Sequence, residues 1–183
     1  MTEINKFIEE MRATSSATDK IAIIKNSSTF IHNVLEATYN PYKQYYVTSK
    51  TCKKNHDKVA IIHHTLFETL HLLSSRKVTG HDAIKLVNKF SQIDINFDLI
   101  YKIIDKDLGI RVGDSIINKA IPGLIPTFKV ALAKEYDDKC DWNDGWYASR
   151  KLDGVRCLAV VNYEGKCTLY SRMGKELTTL NKV

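Results

Sequence analysis

Between residues 1 and 125, apolar side chains recur at the spacing of an α-helix. The first set occupies positions i, i+3, i+4 and i+7, which share one helix face. Its members are Ile4, Phe7, Ile8 and Met11. A second helix, carrying Ile21 and Ile24, is expected after Ser16, because a serine before the first turn accepts a hydrogen bond from a free amide. Both patterns predict amphipathic helices that bury one face.

Four more helical sets follow along the chain. They comprise Ile31, Val34 and Leu35, ending at Asn40-Pro41; a region covering about residues 59–74; Ala83, Leu86, Val87 and Phe90 after the capped start Thr79-Gly80-His81-Asp82; and Leu99, Ile100, Ile103 and Ile104. The sequence therefore predicts a first part that is entirely helical.

The helical periodicity lapses between Pro41 and Lys58. This segment combines three tyrosines and five lysines with the single acid Asp57, and the basic and aromatic residues are Tyr42, Lys43, Tyr45, Tyr46, Lys50, Lys53, Lys54 and Lys58. Interleaved tyrosine and lysine side chains can hold phosphates and stack on sugars or bases. A solvated surface loop has the same composition. The sequence alone leaves both readings open.

A cluster of glycines and prolines separates the helical part from a segment of different periodicity. It contains Gly109, Gly113, Pro122, Gly123 and Pro126. After it the apolar pattern shifts towards period 2, which predicts strands. Strands are expected at Val155–Asn162, at Lys166–Ser171 and in the approach Trp146–Arg150, with Tyr163-Glu164-Gly165 as a hairpin turn. The predicted organisation is an α+β multidomain chain, with a helical domain over residues 1–127 and a β-rich domain beginning in residues 128–183.

Composition narrows the class of protein. The 44% hydrophobic content argues against disorder throughout, and 27 basic against 21 acidic residues suit a phosphate-bearing partner without requiring one. Four cysteines without a C-x-x-C pair indicate neither a zinc site nor a disulfide framework. Because no apolar run is long enough to cross a bilayer, we expect no membrane association and a location in the cytoplasm, that of the host cell if the protein is viral.

Lys151 stands out as a candidate nucleophile. A lysine must lose its proton before it can attack phosphorus, and nearby positive charge favours that loss. Arg150 and Arg156 flank Lys151, while Asp153-Gly154 suits a tight turn between two strands. A lysine before Asp-Gly is also common in ordinary hairpins. Residue chemistry alone therefore leaves a catalytic and a structural interpretation.

The hexapeptide Lys151-Leu152-Asp153-Gly154-Val155-Arg156 resembles the K-x-D-G-x-R motif of the covalent nucleotidyltransferases, which comprise DNA ligases, RNA ligases and mRNA capping enzymes. Ser171-Arg172-Met173-Gly174 resembles the S-R-x-G element that follows this motif in ATP-dependent DNA ligases. Upstream, Arg76–Gly80, Lys106-Asp107-Leu108 and Asn118–Pro126 resemble the helical DNA-binding domain of ligases from T-even-type tailed phages. Together these matches extend over essentially the whole chain.

The resemblance implies the roles of the second domain, which would be the start of an ATP-grasp-like nucleotidyltransferase domain. Lys151 would take AMP from ATP, with Mg²⁺, and pass it to the 5′-phosphate of a nick, which the 3′-hydroxyl then seals. Arg156 and Arg172 would stabilise phosphate charge, and Asp153-Gly154 would shape the loop. Ser149 would contribute to adenine recognition, although relatives commonly carry Glu or Gln there, so only a backbone contact carries over.

For the first domain, the resemblance implies a monomer that binds nicked double-stranded DNA through basic and main-chain contacts to phosphates. Helix N-termini can present main-chain amides to such phosphates. The candidate DNA-binding residues are Lys77, Thr79, Gly80, Arg111, Ser115 and Lys119. The alternative interpretation is that these residues form ordinary caps and turns.

Several parts of a complete ligase have no counterpart in these residues. The family also uses a carboxylate for metal and ribose, a stacking aromatic residue, two later lysines and an OB-fold domain. We therefore expect the N-terminal portion of a longer ligase, with no metal ligands in this portion and incomplete for full ligation by itself. The alternatives are a non-catalytic DNA-binding module derived from a ligase, and an RNA ligase or capping-type enzyme.

Overall fold

The structure is a computed structural model that describes residues 2–54, 64–93, 98–128, 143, 145, 147, 150 and 153–179, apart from the side chains of residues 92 and 93. The chain divides into two compact units, Met1–Pro126 and Thr127–Val183. The described residues are rich in helix and include one two-stranded sheet, in agreement with the predicted α+β class. No helix among these residues is both long and apolar enough to span a membrane.

The described residues of the first unit form helices joined by loops. The helices are α1 (Glu3–Ala13), α2 (Ala17–Lys25), α3 (Thr29–Tyr39), α4 (Ser49–Lys54), α5 (Leu66–Ser74), α6 (Gly80–Ile93), α7 (Leu99–Ile104) and α8 (Asp114–Ala120). Helix α2 packs against α1 and α8, α3 against α7, and α6 against α4, α5 and α7. This part of the chain contains no strand among its described residues, as the period of 3.6 predicts.

The apolar faces predicted from the sequence form the core of the first unit. The buried residues of α1 are the four that the spacing selected, and each is at most 4% exposed. The sets predicted on α3, α6 and α7 are buried as well, each at most 9% exposed: Ile31, Val34, Leu35, Ala83, Leu86, Val87, Phe90, Leu99, Ile100, Ile103 and Ile104. Burial of each such side chain contributes about 1.5–3 kcal/mol, so these faces explain why the helices stay together.

Polar side chains fix the helix starts. The Ser16 hydroxyl accepts a hydrogen bond from the Asp19 amide at 3.3 Å, which confirms the predicted cap of α2. At α5, Thr65 and Glu68 form a reciprocal capping box. Because this cap fixes the first turn, α5 begins at Leu66 and the prediction of a helix through residues 64 and 65 is wrong. Residues 59–63 of that predicted helix lie outside the described part.

Residues 41–54, the described part of the segment from Pro41 to Lys58, are more ordered than their lapsed periodicity suggests. Helix α4 lies within it, and its start is held by Asp105, whose carboxylate accepts hydrogen bonds from the Ser49 amide at 2.9 Å and from the Ser49 hydroxyl. Only Cys52 of this six-residue helix is buried, so the helix shows no amphipathic repeat. Tyr45 is also buried, and its hydroxyl donates to the Ala37 carbonyl at 2.8 Å.

Lys106 connects this loop to the end of α3. Its ammonium group donates to the carbonyls of Ala37 and Asn40, both at 3.1 Å, and lies 4.8 Å from the centre of the Tyr45 ring. Burial lowers the pKa of Lys106 to about 8, although the nearby carboxylate of Glu36 opposes the shift. The lysine is therefore held in a site where its charged form is poorly solvated.

The pKa of Lys106 predicts a pH-dependent stability. Because the folded-state pKa of about 8 lies below the ordinary value of 10.5, the unfolded chain binds more protons between these two values. The contribution of Lys106 to the free energy of unfolding therefore rises as the pH increases through this window, and it is lost as the pH falls towards 8. Urea unfolding across this pH window measures the free energy of unfolding of wild type and of Lys106→Met. As the pH rises, the value for wild type should increase relative to that of the variant. Parallel curves would contradict the assignment.

A buried polar network joins α4, α6 and α7. The amide nitrogen of Asn88 donates to the Cys52 carbonyl at 2.8 Å, and its amide oxygen accepts from the Tyr101 hydroxyl at 3.1 Å. Ser91 completes the group, since its hydroxyl lies 3.0 Å from that of Tyr101 and donates to the Asn88 carbonyl. Asn88 itself is fully buried. One side chain thus satisfies polar groups contributed by two neighbouring helices.

The second unit contains an antiparallel hairpin of β1 (Cys157–Val161) and β2 (Cys167–Ser171), paired from Cys157↔Ser171 to Val161↔Cys167. Its turn is closed by Asn162, whose side-chain oxygen accepts from the amides of Glu164 and Lys166. These strands and the turn at residues 163–165 are where the alternating pattern predicts them. Of the strand predicted at Trp146–Arg150, residues 147 and 150 are not in a strand, and the remainder lies outside the described residues.

Candidate functional site

The residues that approach β1 carry the end of the K-x-D-G-x-R motif. Lys151 and Ser149 lie outside the described residues, so the site is built here from Asp153 onward. Residues 153–156 are exposed and lead directly into β1. Gly154 has no positive φ, and an added Cβ would meet nothing within 4 Å, so neither backbone angle nor space requires glycine at this position.

The hairpin register brings two arginines of the two motifs to one end of the sheet. The last pair of the ladder is Cys157↔Ser171, so Arg156 and Arg172 are each the first residue beyond it, one on each strand. Both are exposed. Residues 16 positions apart in sequence thereby become neighbours through strand pairing, which explains why the spacing of the two motifs matters.

The S-R-x-G element forms a tight turn after β2. The Gly174 amide donates to the Ser171 carbonyl at 2.9 Å, and the Lys175 amide donates to the Ser171 hydroxyl at 3.1 Å. Gly174 has a φ of 75°, a left-handed conformation that favours glycine, so its place in the motif has a structural reason. The chain then returns along β2, with Tyr170 bridged to Glu176. The turn fixes the backbone that carries Arg172.

Two guanidinium groups at one end of a hairpin suit an anion. Like charges on neighbouring strand positions disfavour pairing by themselves, and an anion that contacts both relieves that repulsion. Guanidinium groups present several N–H donors in a planar fork that matches phosphate oxygens. The described residues contain no group of three or more His, Cys, Asp or Glu side chains suited to a metal ion. The two arginines can therefore offer such donors to a phosphate.

Three candidate DNA-binding residues lie where α5 passes into α6. Lys77, Thr79 and Gly80 are all exposed, and Gly80, with a φ of 58°, is the first residue of α6. The Thr79 carbonyl accepts from the Ala83 amide at 3.4 Å, which confirms that a helix starts at the predicted place. The structure thus brings these three residues together on one exposed loop.

The remaining candidates surround α8. Arg111 is exposed, and its carbonyl accepts a hydrogen bond from the ammonium group of Lys20 at 3.2 Å. The Ser115 amide donates to the Asp114 carboxylate at 2.8 Å, so that amide already has a partner within the helix. Lys119 lies exposed in the last turn. Around α8, the side chains of Arg111 and Lys119 and the hydroxyl of Ser115 can therefore contact a phosphate.

Sequence reasoning missed Lys20, and it assigned no role of their own to Arg76 and Lys106, which lie in segments that resemble the helical DNA-binding domain. Lys20 is only 6% exposed and joins α2 to the loop before α8, by donating to the Ile110 and Arg111 carbonyls. Arg76 and Lys106 adopt positive φ angles of 57° and 62° directly after helices. Glycine usually occupies that position, so a basic residue where a helix ends was the available signal for these two. No sequence signal marks Lys20, since long basic side chains normally stay at the surface.

Comparison with known proteins gives the following relatives. No protein-family model matches the chain. The chain is 30% identical to the DNA ligase of Enterobacteria phage T4 over an alignment of 193 positions. The alignment covers 97% of this chain and 39% of that protein. The same values hold for the DNA ligase of Enterobacteria phage T6. The chain therefore spans about two fifths of the length of these curated relatives.

Solved structures agree on the fold. The chain superposes on Pmar-Lig_PreS3 with a TM-score of 0.70 and on Pmar-Lig_Pre with a TM-score of 0.71, covering 96% of this chain and 43% of each of those chains. At 21% sequence identity this likeness concerns the fold alone. The resemblance that the motifs predict is confirmed by the sequence comparison: along nearly its whole length, the chain is similar to the DNA ligases of T-even phages.

Proposed function

We propose that this chain is the N-terminal part of an ATP-dependent DNA ligase that seals nicks through a lysyl-AMP intermediate on Lys151. The observation that carries the proposal is the convergence of Arg156 and Arg172 at one end of the β1–β2 hairpin, immediately after the K-x-D-G segment. In this proposal the unit Met1–Pro126 is the helical DNA-binding domain, and the unit Thr127–Val183 begins the nucleotidyltransferase domain.

The chemistry follows from the phosphate that the two arginines suit. The deprotonated amine of Lys151 attacks the α-phosphorus of ATP, a nitrogen–phosphorus bond forms, and the bond to pyrophosphate breaks. Arg156 and Arg172 hold the phosphate oxygens on which negative charge builds, and such preorganised donors supply much of the rate in phosphoryl-type transfer. Mg²⁺ bound to the ATP phosphates would reduce their charge further.

The DNA substrate is supported by the first unit. Exposed basic residues lie near α6 and α8: Lys77 before the start of α6, Arg111 in the loop before α8, and Lys119 in the last turn of α8, where each can contact phosphates. Contacts of this kind position a protein on a duplex without reading its sequence, which suits an enzyme that must seal nicks wherever they occur. We further propose that the protein acts as a monomer, because one duplex nick presents a single reacting pair of strand ends.

The test is incubation of the full-length ligase proposed to contain this chain with ATP and Mg²⁺, followed by intact-mass measurement, with NAD⁺ in a parallel sample. We expect a mass gain of one adenylyl group with ATP, and none in Lys151→Ala. Binding is then compared on nicked duplex DNA and nicked duplex RNA, with tighter binding expected for DNA. Nick binding without any adduct would favour a non-catalytic DNA-binding module, and a preference for RNA would favour an RNA ligase.

A further inference from the structure

Helix α5 ends in a turn that ordinarily requires glycine. The Arg76 amide donates to the Leu73 carbonyl and the Lys77 amide to the Leu72 carbonyl, both at 3.1 Å, which is the hydrogen-bond pattern of a Schellman motif. In this motif the residue after the cap adopts a left-handed backbone, and here that residue is Arg76, with a φ of 57°. An arginine at this position is strained relative to glycine, so its side chain needs a reason to be there.

Helix α7 ends in the same way and shows one such reason. Lys106, with a φ of 62°, donates its amide to the Ile103 carbonyl at 3.0 Å. Its ammonium group lies over the ring of Tyr45 and binds two carbonyls at the end of α3. Because Tyr45 is only 3% exposed, this pair is part of the folded interior. The strain at Lys106 is thus offset by contacts that hold the fold together.

Arg76 forms the corresponding pair with the next tyrosine, but at the surface. Its guanidinium carbon lies 4.8 Å from the centre of the Tyr46 ring, and Tyr46 is 60% exposed. Tyr46 also has a positive φ, of 59°. None of the ion pairs among the described residues includes Arg76. Two strained residues from separate loops therefore present a stacked cation and ring to solvent, and the fold alone does not account for them.

The segment that carries Tyr46 and the residue that follows Arg76 are basic. Residues 41–54 contain four lysines and no acidic residue, and Lys77 lies exposed directly after Arg76. Lys43 and Lys53 contact Glu36 and Asp98, whereas Lys50, Lys54 and Lys77 appear in none of the described ion pairs. A polyanion is therefore the partner that matches the charge of this surface. The exposed Tyr46 ring adds a face on which a sugar ring can pack, next to a guanidinium group that can hold a phosphate.

We propose that Tyr46 and Arg76 form a contact for the sugar-phosphate backbone of duplex DNA. The inference rests on the proposed ligase function, which it extends to a surface that joins the loop before α4 to the loop before α6. Tyr46 keeps the guanidinium of Arg76 in a fixed orientation, so less side-chain freedom is lost when the phosphate binds. The two loops would then contact the duplex together with Lys77 and Thr79.

Glycine substitutions test the pair, because glycine suits the backbone angles of both residues. Arg76→Gly and Tyr46→Gly should unfold at the same or higher temperature than wild type. Their dissociation constants for nicked duplex DNA should increase about tenfold. For Arg76→Gly, the slope of the logarithm of the association constant against the logarithm of salt concentration should become smaller in magnitude by about one, the value for one lost phosphate contact. Fluorescence anisotropy with a labelled nicked duplex measures both quantities.

Two control variants separate folding from binding. Lys106→Gly removes the buried counterpart, so it should lower the unfolding temperature and leave the DNA affinity of the folded protein unchanged. Lys25→Ala removes an exposed charge from the end of α2 and should change affinity less than twofold. Wild-type affinity and salt slope in both Arg76→Gly and Tyr46→Gly would overturn the proposal. If these variants bind weakly while wild type binds nicks without forming an adenylyl adduct, the contact stands and the ligase function fails.

Discussion

Alanine at Arg156 or at Arg172 should slow self-adenylation by about a hundredfold to a thousandfold, the usual loss when one preorganised donor to a developing charge is removed. Each residue lies just beyond the Cys157↔Ser171 pair, so each would face the same phosphate. Both are exposed, and their removal should leave the hairpin folded. Single-turnover appearance of the adenylyl adduct, followed by intact mass, gives the rate.

Matched variants decide whether position or net charge is responsible. Lys166→Ala removes one positive charge at the opposite end of the same hairpin and should adenylate at nearly the wild-type rate. Arg156→Lys and Arg172→Lys keep the charge and lose the planar fork, so they should recover only part of the rate. Equal losses in Lys166→Ala and in the arginine variants would show that the site does not lie at this end of the sheet.

Asn88→Ala should destabilise the first unit by about 2–4 kcal/mol, because it removes the amide that hydrogen-bonds two buried polar groups. These are the Cys52 carbonyl and the Tyr101 hydroxyl, which contact the two ends of the Asn88 amide. The free energy of unfolding of an ordinary domain is about 5–15 kcal/mol, so this loss is a large share of the total stability. Urea unfolding measures it as a lower midpoint.

Two comparisons sharpen this experiment. Tyr101→Phe removes one hydroxyl of the network and should cost about 1 kcal/mol. Lys85→Ala alters an exposed residue of the same helix and should change stability by less than about 0.5 kcal/mol. A stability of Asn88→Ala equal to that of Lys85→Ala would mean that the network contributes nothing to the link between α4, α6 and α7.

Local patterns in the sequence predicted much of this fold. The apolar sets on α1, α3, α6 and α7 are the buried faces, because a repeat of 3.6 residues places one stripe of a helix against the core. Alternation and the Tyr163-Glu164-Gly165 turn predicted the β1–β2 hairpin for the same kind of reason. The nucleotidyltransferase motifs predicted a resemblance to the DNA ligases of T-even phages, and the chain is similar to these ligases over nearly its whole length.

Other features depend on contacts between residues far apart in sequence, which no local pattern contains. The start of α4 needs Asp105, more than fifty residues away, and the pKa of Lys106 is set by its burial against α3. Likewise, Tyr45 and Tyr46 are chemically identical neighbours, yet packing buries one beneath Lys106 and leaves the other exposed under Arg76. For this reason the sequence of residues 41–58 fitted both a phosphate-binding segment and a solvated surface loop.

The sequence by itself thus determined the helical faces and the hairpin, since each depends on residues within one or two turns or strands. Its K-x-D-G-x-R motif also marked Lys151 as the candidate nucleophile. Only the tertiary structure decided that Arg156 and Arg172 share one end of a sheet, because strand pairing, not sequence distance, makes them neighbours. It also decided which basic side chains bind main-chain carbonyls within the fold, as those of the buried Lys20 and the half-buried Lys106 do, and which remain exposed. Burial is a property of the assembled fold, and it separates side chains that look alike in the sequence.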